Sequence, residues 1–281
     1  MQCLLWNYRR DYRMLSDNDI QTFNRDGAIV LRNQLSSAWL QRIEEAIERD
    51  IAKPAPFFHG YVATGGSGRF HGNLRIWETD PDFREFCLHS NLPELAANIL
   101  GCERINLLYD QLFVKEPSTP NTTRWHNDQP YWPIRGRDVV SFWMSPDGVS
   151  KDSGSLEFIS GSHKWGMMFQ PERFGDTAAH DDYERNPDYV DMPDIDASRD
   201  DYDIISWDLN PGDIYVFHAM TVHSAGGNLR NDARRRGYAV RYVGDDIRYD
   251  ARPGTNEHLR SIDYADGDVL TGPRFPQVWP R

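Results

Sequence analysis

From Ile105 onward the chain is written in short apolar or alternating runs, at 105–114, 139–144, 155–159, 213–218 and 236–243, with turn residues between them. Runs of this length suit strands rather than helices, and their repetition is the signature of an all-β sandwich or barrel. The residues ahead of them read differently. Ser16, with Asp19 three places on, can cap a short helix that stops near Asp26-Gly27. Ala28 to Leu31 is a short apolar strand, and Leu40, Ile43, Ala46, Ile47 and Ile51 then recur at helical spacing behind Ser36-Ser37. Leu92 to Leu100, closed by Gly101, reads as a further helix with a glycine stop. The predicted organisation is a helix–strand–helix at 14–52 leading into a β core at about 105–245, all in one domain. A chain of 281 residues is within the range of a single elaborated barrel or sandwich.

One stretch breaks this pattern. Residues 171–205 hold 12 Asp and Glu against 3 Arg and show almost no apolar periodicity. A structureless connection this long inside a compact domain is usually functional or disordered. Two readings follow: a solvated acidic insertion, or a lid over an active site.

Charge excludes some partners. The formal net charge of −12, without a Lys/Arg cluster, argues against nucleic acid. The apolar runs fall well short of a membrane helix, and the N-terminal residues carry no signal-peptide core. Three cysteines with no Cys-x-x-Cys pair do not make a disulfide framework, so a cytoplasmic protein is expected.

Chemistry concentrates at Thr123-Arg124-Trp125-His126-Asn127-Asp128-Gln129-Pro130-Tyr131-Trp132. On an extended backbone His126 and Asp128 point to the same face, so an imidazole and a carboxylate can converge on one metal ion. A third ligand can come from His218 or His223, at and just beyond the strand 213–218. A His-x-Asp pair with one distant His is the pattern of the facial triad that holds non-haem Fe(II) with three positions open.

Four stretches together resemble the phytanoyl-CoA dioxygenase family of Fe(II)- and 2-oxoglutarate-dependent oxygenases. They are Trp125 to Trp132; Gly154-Ser155-Leu156-Glu157-Phe158-Ile159-Ser160-Gly161-Ser162-His163; Pro211-Gly212-Asp213 leading to His223-Ser224-Ala225-Gly226-Gly227-Asn228; and Arg235-Arg236-Gly237-Tyr238-Ala239-Val240-Arg241-Tyr242. The resemblance implies a double-stranded β-helix, a cupin-like jelly roll of eight core strands in two sheets with one open mouth. It implies His126, Asp128 and His223 as the catalytic metal ligands, leaving His163 structural and His218 in the core.

The resemblance also implies an arginine that grips the far carboxylate of 2-oxoglutarate, a task suited to its planar fork. Arg235 is favoured, because Arg235-Arg236-Gly237 fits the family pattern. The gap from His223 is one residue longer than expected, which leaves Arg234 as an alternative. Alternation would turn Arg235, Gly237 and Ala239 to one face. Trp143 matches a tryptophan that lines the cosubstrate site. The hydroxyl that relatives carry two places after the distal histidine is replaced here by Ala225, with Ser224 one earlier. Arg69 or Arg75 could supply an upstream basic contact.

The implied reaction uses Fe(II), 2-oxoglutarate and O2 to hydroxylate an unactivated C–H bond of a small-molecule metabolite, releasing succinate and CO2. Asp128 favours hydroxylation, since related halogenases carry a small residue there. The alternatives are desaturation, cyclisation, epimerisation or demethylation by the same cofactor chemistry, a zinc hydrolase, or a non-catalytic β-barrel binding protein. An arginine anchor argues against the last two. If the acidic 171–205 segment covers the mouth, it suits a neutral or cationic substrate better than an acyl-CoA. The rings of Tyr109, Tyr131 and Trp132 could hold a cation on their faces.

Overall fold

The computed structural model describes residues 12–62, 68–172 and 184–280. Its elements in chain order begin with α1 (Asp17–Asp26), β1 (Ala28–Leu31), α2 (Ser37–Ala52), β2 (His59–Val62), β3 (Arg69–Leu74), α3 (Pro81–His89) and α4 (Leu92–Leu100). The strands β4 (Ile105–Lys115), β5 (Thr123–His126), β6 (Ile134–Arg135), β7 (Val139–Met144), β8 (Leu156–Ile159) and β9 (Ile204–Ser206) follow. The last five are β10 (Ile214–His218), β11 (His223–Ala225), β12 (Arg235–Val243), β13 (Arg248–Tyr249) and β14 (Gln277–Trp279).

Two antiparallel sheets face each other in a jelly roll. The larger runs β1-β10-β7-β12-β4-β3-β2, with β14 on β4, and the smaller runs β5-β11-β8-β9. The predicted strands at 105–114, 139–144, 155–159, 213–218 and 236–243 are β4, β7, β8, β10 and β12, each within two residues of its expected ends. The Ser16 cap forms as predicted. Its hydroxyl accepts from the Asp19 amide, Asp19 reaches back to the Ser16 amide, and Gly27 ends the helix at φ +80°.

Alternation along the large sheet sorts its residues into two populations. Leu112, Val114, Phe142, Val240 and Tyr242 turn outward and are buried beneath the helices, which bring down Ile43, Ile47, Phe83, Phe86 and Leu95. Each such large side chain contributes roughly 1.5–3 kcal/mol through burial. The intervening residues turn inward: Tyr109, Gln111, Phe113 and Lys115 on β4, Ser141 and Trp143 on β7, and Arg235, Gly237, Ala239 and Arg241 on β12. Most of these line one cavity of about 600 Å³ between the sheets.

The acidic segment differs from its prediction. Residues 173–183 lie outside the described residues, but the remainder is neither structureless nor spread over the mouth. Ile195, with Met192, Tyr202 and Ile204, packs on Trp125, Ile159, Phe169 and Val222. The Trp125 indole donates to Asp196 (3.0 Å), and Arg199 pairs with Glu157 (2.8 Å) on β8. Apolar residues too sparse to show a period suffice here, because the small sheet supplies the other half of the contact. Among the described residues of 171–205, only Glu184 lines the cavity. Its walls are extended instead by Phe57 to Tyr61 before and along β2, and by Thr255 to Arg260 beyond β13. Both stretches fall outside the predicted β core.

Candidate metal centre and cosubstrate pocket

β5 and β11 are antiparallel neighbours, and their register sets His223 directly across from His126. Opposed residues on one face of such a pair are close enough for their side chains to meet. The two imidazoles lie 4.2 Å apart between centroids. His126 Nδ1 is 2.8 Å from the Arg124 carbonyl, and His223 Nδ1 is 2.9 Å from the Thr221 carbonyl. A carbonyl only accepts, so each Nδ1 carries the proton and each Nε2 keeps its lone pair.

Asp128 reaches the same point by a route other than the one predicted. β5 ends at His126, and Asp128 takes helical angles (φ −75°, ψ −38°) at the start of a single 3-10 turn, Gln129–Tyr131. Pro130 opens that turn, and the Asp128 amide donates to the Ala219 carbonyl (2.8 Å). The carboxylate is therefore aimed by a turn, not by strand alternation. Asp128 Oδ1 lies 3.4 Å from His126 Nε2 and 3.9 Å from His223 Nε2. One ligand atom from each residue falls within 4.8 Å of the others. The other oxygen, Oδ2, accepts from Ser141 (3.3 Å) and lies 3.9 Å from Arg241.

Electrostatics agrees with this arrangement. Burial, then repulsion from His126, pushes His223 down to about 3, so its imidazole is neutral at physiological pH. Burial opposes ionisation of Asp128, but the polar groups gathered around it, the Arg241 guanidinium among them, outweigh it and hold the carboxyl well below the usual range. Two imidazoles with free Nε2 lone pairs and one ionised carboxylate fit the donor set of a facial-triad Fe(II) site.

His218 makes the opposite choice. Its Nε2 is 2.9 Å from the Arg137 carbonyl, and its Nδ1 accepts from the Met220 amide (3.0 Å). Neither nitrogen is left for a metal, and burial pushes it down to about 4. His163 sits beside it, against α1, with Nε2 3.3 Å from the Asn24 carbonyl.

The two arginines weighed as anchors separate cleanly. Arg235 is 2% exposed on the inner face of β12, donating weakly to the Ser153 and Phe113 carbonyls (3.4 and 3.3 Å). Its guanidinium stands 5.4 Å from the Trp143 ring centre. No carboxylate among the described residues lies within 4 Å of it. Burial lowers it to about 10, which still leaves it charged. Gly237 makes room for this stack, since a Cβ there would meet Trp143 at 2.4 Å and Arg235 Nη1 at 2.8 Å. Arg234 faces away from the cavity and pairs with Glu48 (2.8 Å) and Glu116 (3.1 Å).

Other residues fall partly as expected. Trp143 and Ser224 line the cavity. Ala225 brings no hydroxyl, but its cross-strand partner Thr123 lines the cavity too. Neither Arg69 nor Arg75 does; Arg75 pairs with Glu78 (2.7 Å) and sits over Phe57. The basic residue beside the anchor is Lys115, paired with Arg235 in register and donating to the Asn121 and Gly226 carbonyls (2.9 and 2.7 Å). Burial and then the Arg235 charge push its ammonium well below the usual range. Lys115 was discoverable, because alternation along 105–114 continues one residue further onto the same face. Arg241 was discoverable in the same way, two places beyond Ala239.

The fold and cavity thus define a jelly-roll protein with a buried His-Asp-His cluster facing an arginine. The sequence profile of the phytanoyl-CoA dioxygenase family matches residues 23–237, and the chain belongs to that family of Fe/2-oxoglutarate-dependent oxygenases. A probable phytanoyl-CoA dioxygenase of Caenorhabditis elegans is 23% identical over 270 residues, covering 89% of this chain and 83% of its own. Among solved structures, the non-haem α-ketoglutarate-dependent carbocyclase SnoK of nogalamycin biosynthesis superposes with a TM-score of 0.75 at 23% identity, covering 94% of this chain and 96% of its own. The epimerase SnoN, solved with Fe3+, α-ketoglutarate and a nogalamycin compound, gives 0.71 at 20% identity, over 92% and 96%. No described helix is long and apolar enough to cross a membrane.

Proposed function

We propose that this protein is an Fe(II)- and 2-oxoglutarate-dependent dioxygenase that hydroxylates an unactivated C–H bond of a small-molecule metabolite, releasing succinate and CO2. The observation that carries the reading is the sharing of one cavity by the His126/Asp128/His223 cluster and Arg235, a buried guanidinium with no carboxylate within 4 Å among the described residues. When bound, iron and 2-oxoglutarate supply the oxidising chemistry, with O2 as oxidant and the keto acid as the source of succinate.

The chain's own part is positioning. The Arg124 and Thr221 carbonyls fix the tautomers of His126 and His223, which presents both Nε2 atoms to the metal. Ser141 holds one Asp128 oxygen, so the other faces the histidines. Arg235 would take the far carboxylate of the keto acid against Trp143, with Ser224 and Thr123 nearby on the opposite sheet. Phe158 and Phe217, packed on His223, keep water from that side. A hydrolytic zinc enzyme has no use for the anchor.

A second reading is favoured by the likeness to a carbocyclase and an epimerase: the same cofactor chemistry with cyclisation or epimerisation as its outcome. Succinate release across a panel of small metabolites, with Fe(II) and 2-oxoglutarate, tests both readings. Hydroxylation adds one oxygen atom to the product, cyclisation removes two hydrogens, and epimerisation leaves the mass unchanged. Substrate-stimulated succinate with a product of unchanged or lowered mass would replace hydroxylation by the second reading. No iron-dependent succinate at all would remove both.

A further inference from the structure

Arg241 is a buried, charged cavity residue that the proposed reaction does not use. It is 3% exposed, lines the cavity, and stands three residues along the inner face of β12 from Arg235 at alternating spacing. Its Nε and Nη1 are both buried and have no hydrogen-bond partner among the described residues. The nearest carboxylate, Asp128, is 3.9 Å from Nη2, beyond hydrogen-bond distance. A buried guanidinium with two idle donors costs free energy that folding alone does not return, and such groups usually await a partner.

The surroundings say what the partner is. The guanidinium lies 4.7 Å from the Tyr109 ring centre and 5.7 Å from those of Phe113 and Trp132. Two of the rings expected to hold a cationic substrate therefore already carry the protein's own cation. Iron and the keto acid, taken with Asp128 and Arg235, cancel in charge, which leaves Arg241 uncompensated. The other cavity carboxylates, Glu184 and Glu257, are exposed at 65% and 83%. The described residues 192–204 of the acidic segment, whose charge would favour a cation, pack on the outer face of the small sheet.

We infer that Arg241 is a substrate-binding residue and that the substrate is a small molecule bearing a carboxylate on an apolar ring or chain. The carboxylate takes the Nε–Nη1 edge, and the apolar body lies along the aromatic wall, within reach of the metal ligands. This rests on the proposed function, since it takes Arg235 to be engaged by 2-oxoglutarate.

The test compares carboxylates with their uncharged twins: benzoate, phenylacetate and cyclohexanecarboxylate against the matching primary amides. Binding is read by tryptophan fluorescence on the anaerobic enzyme loaded with Fe(II) and 2-oxoglutarate, and on the metal-free protein. At least one carboxylate should bind roughly 10- to 100-fold more tightly than its amide. Arg241→Met should erase that preference and Arg241→Lys keep part of it. In both variants the visible band of the iron–keto acid complex should persist, which shows an intact fold and cosubstrate site. Equal binding of acids and amides by the wild-type protein overturns the inference. So does loss of the band in Arg241→Met, because Arg241 would then serve the iron site through Asp128. Absence of the band in the wild-type protein sinks the proposed function instead, a result separate from any acid–amide preference.

Discussion

The two sheets treat their polar groups in opposite ways. On the small sheet the site histidines are anchored through backbone carbonyls, and strand register brings their rings together. On the large sheet, Arg235 and Arg241 are buried with weak or missing partners. A folded protein leaves charged donors idle only where something else satisfies them. The small sheet fixes the orientation of its rings on folding and leaves only their Nε2 atoms open, whereas the large sheet leaves guanidinium donors open.

The sharpest way to break this contrast is to remove a small-sheet ligand. His126→Ala or His223→Ala should abolish the charge-transfer band that 2-oxoglutarate forms with Fe(II) under anaerobic conditions. Retention of the band in both variants would show that the cluster does not hold the metal. The large sheet should fail more gently. Arg235→Gln should raise the 2-oxoglutarate requirement 10- to 100-fold, roughly 1.5–3 kcal/mol for a lost charged pair, with iron binding unchanged. Arg234→Gln, on the outer face, should leave that requirement where it was. The reverse pattern would shift the anchor by one residue.

A third histidine sharpens the contrast by pH. His218, buried and neutral, has its folded value lowered to about 4 from 6.5. Its contribution is therefore fully present above about 6.5 and lost as pH falls toward 4, because the unfolded chain takes up the proton first. Denaturant unfolding of the metal-free protein should show that loss, about 3 kcal/mol. His218→Gln should flatten this part of the slope, and an unchanged slope would show that His218 is not the titrating group.

The smallest effect belongs to the outer face of the small sheet. Asp196→Ala removes the acceptor of the Trp125 indole and should cost at most about 1 kcal/mol. Coupling of succinate to product should not change. Uncoupling would mean that this part of the acidic segment closes over substrate after all.

How much of this was legible in the sequence follows from the range of the interactions. Five strands and the Ser16 cap were readable because alternation and capping are local. The meeting of His126, Asp128 and His223 was expected from alternation and motif resemblance, but the route to it was not legible. It depends on the β5–β11 register and on a turn at Pro130, which alternation alone misassigns. Arg235 and Arg234 could be separated only once the sheet gave them sides, one beneath Trp143 and the other against Glu48. The segment 184–205 looked structureless because its few apolar residues bury against Trp125 and Phe169, which are distant in sequence. Arg241 is legible as the next inward place after Ala239 on the same alternating strand.

One measurement bears on the whole site at once: an anaerobic crystal structure of the protein with Fe(II) and 2-oxoglutarate. A single metal bound by His126 Nε2, Asp128 and His223 Nε2, with the keto acid's far carboxylate on Arg235, is the expected result. A metal held elsewhere, or a keto acid whose far carboxylate leaves Arg235 unpaired, would contradict it.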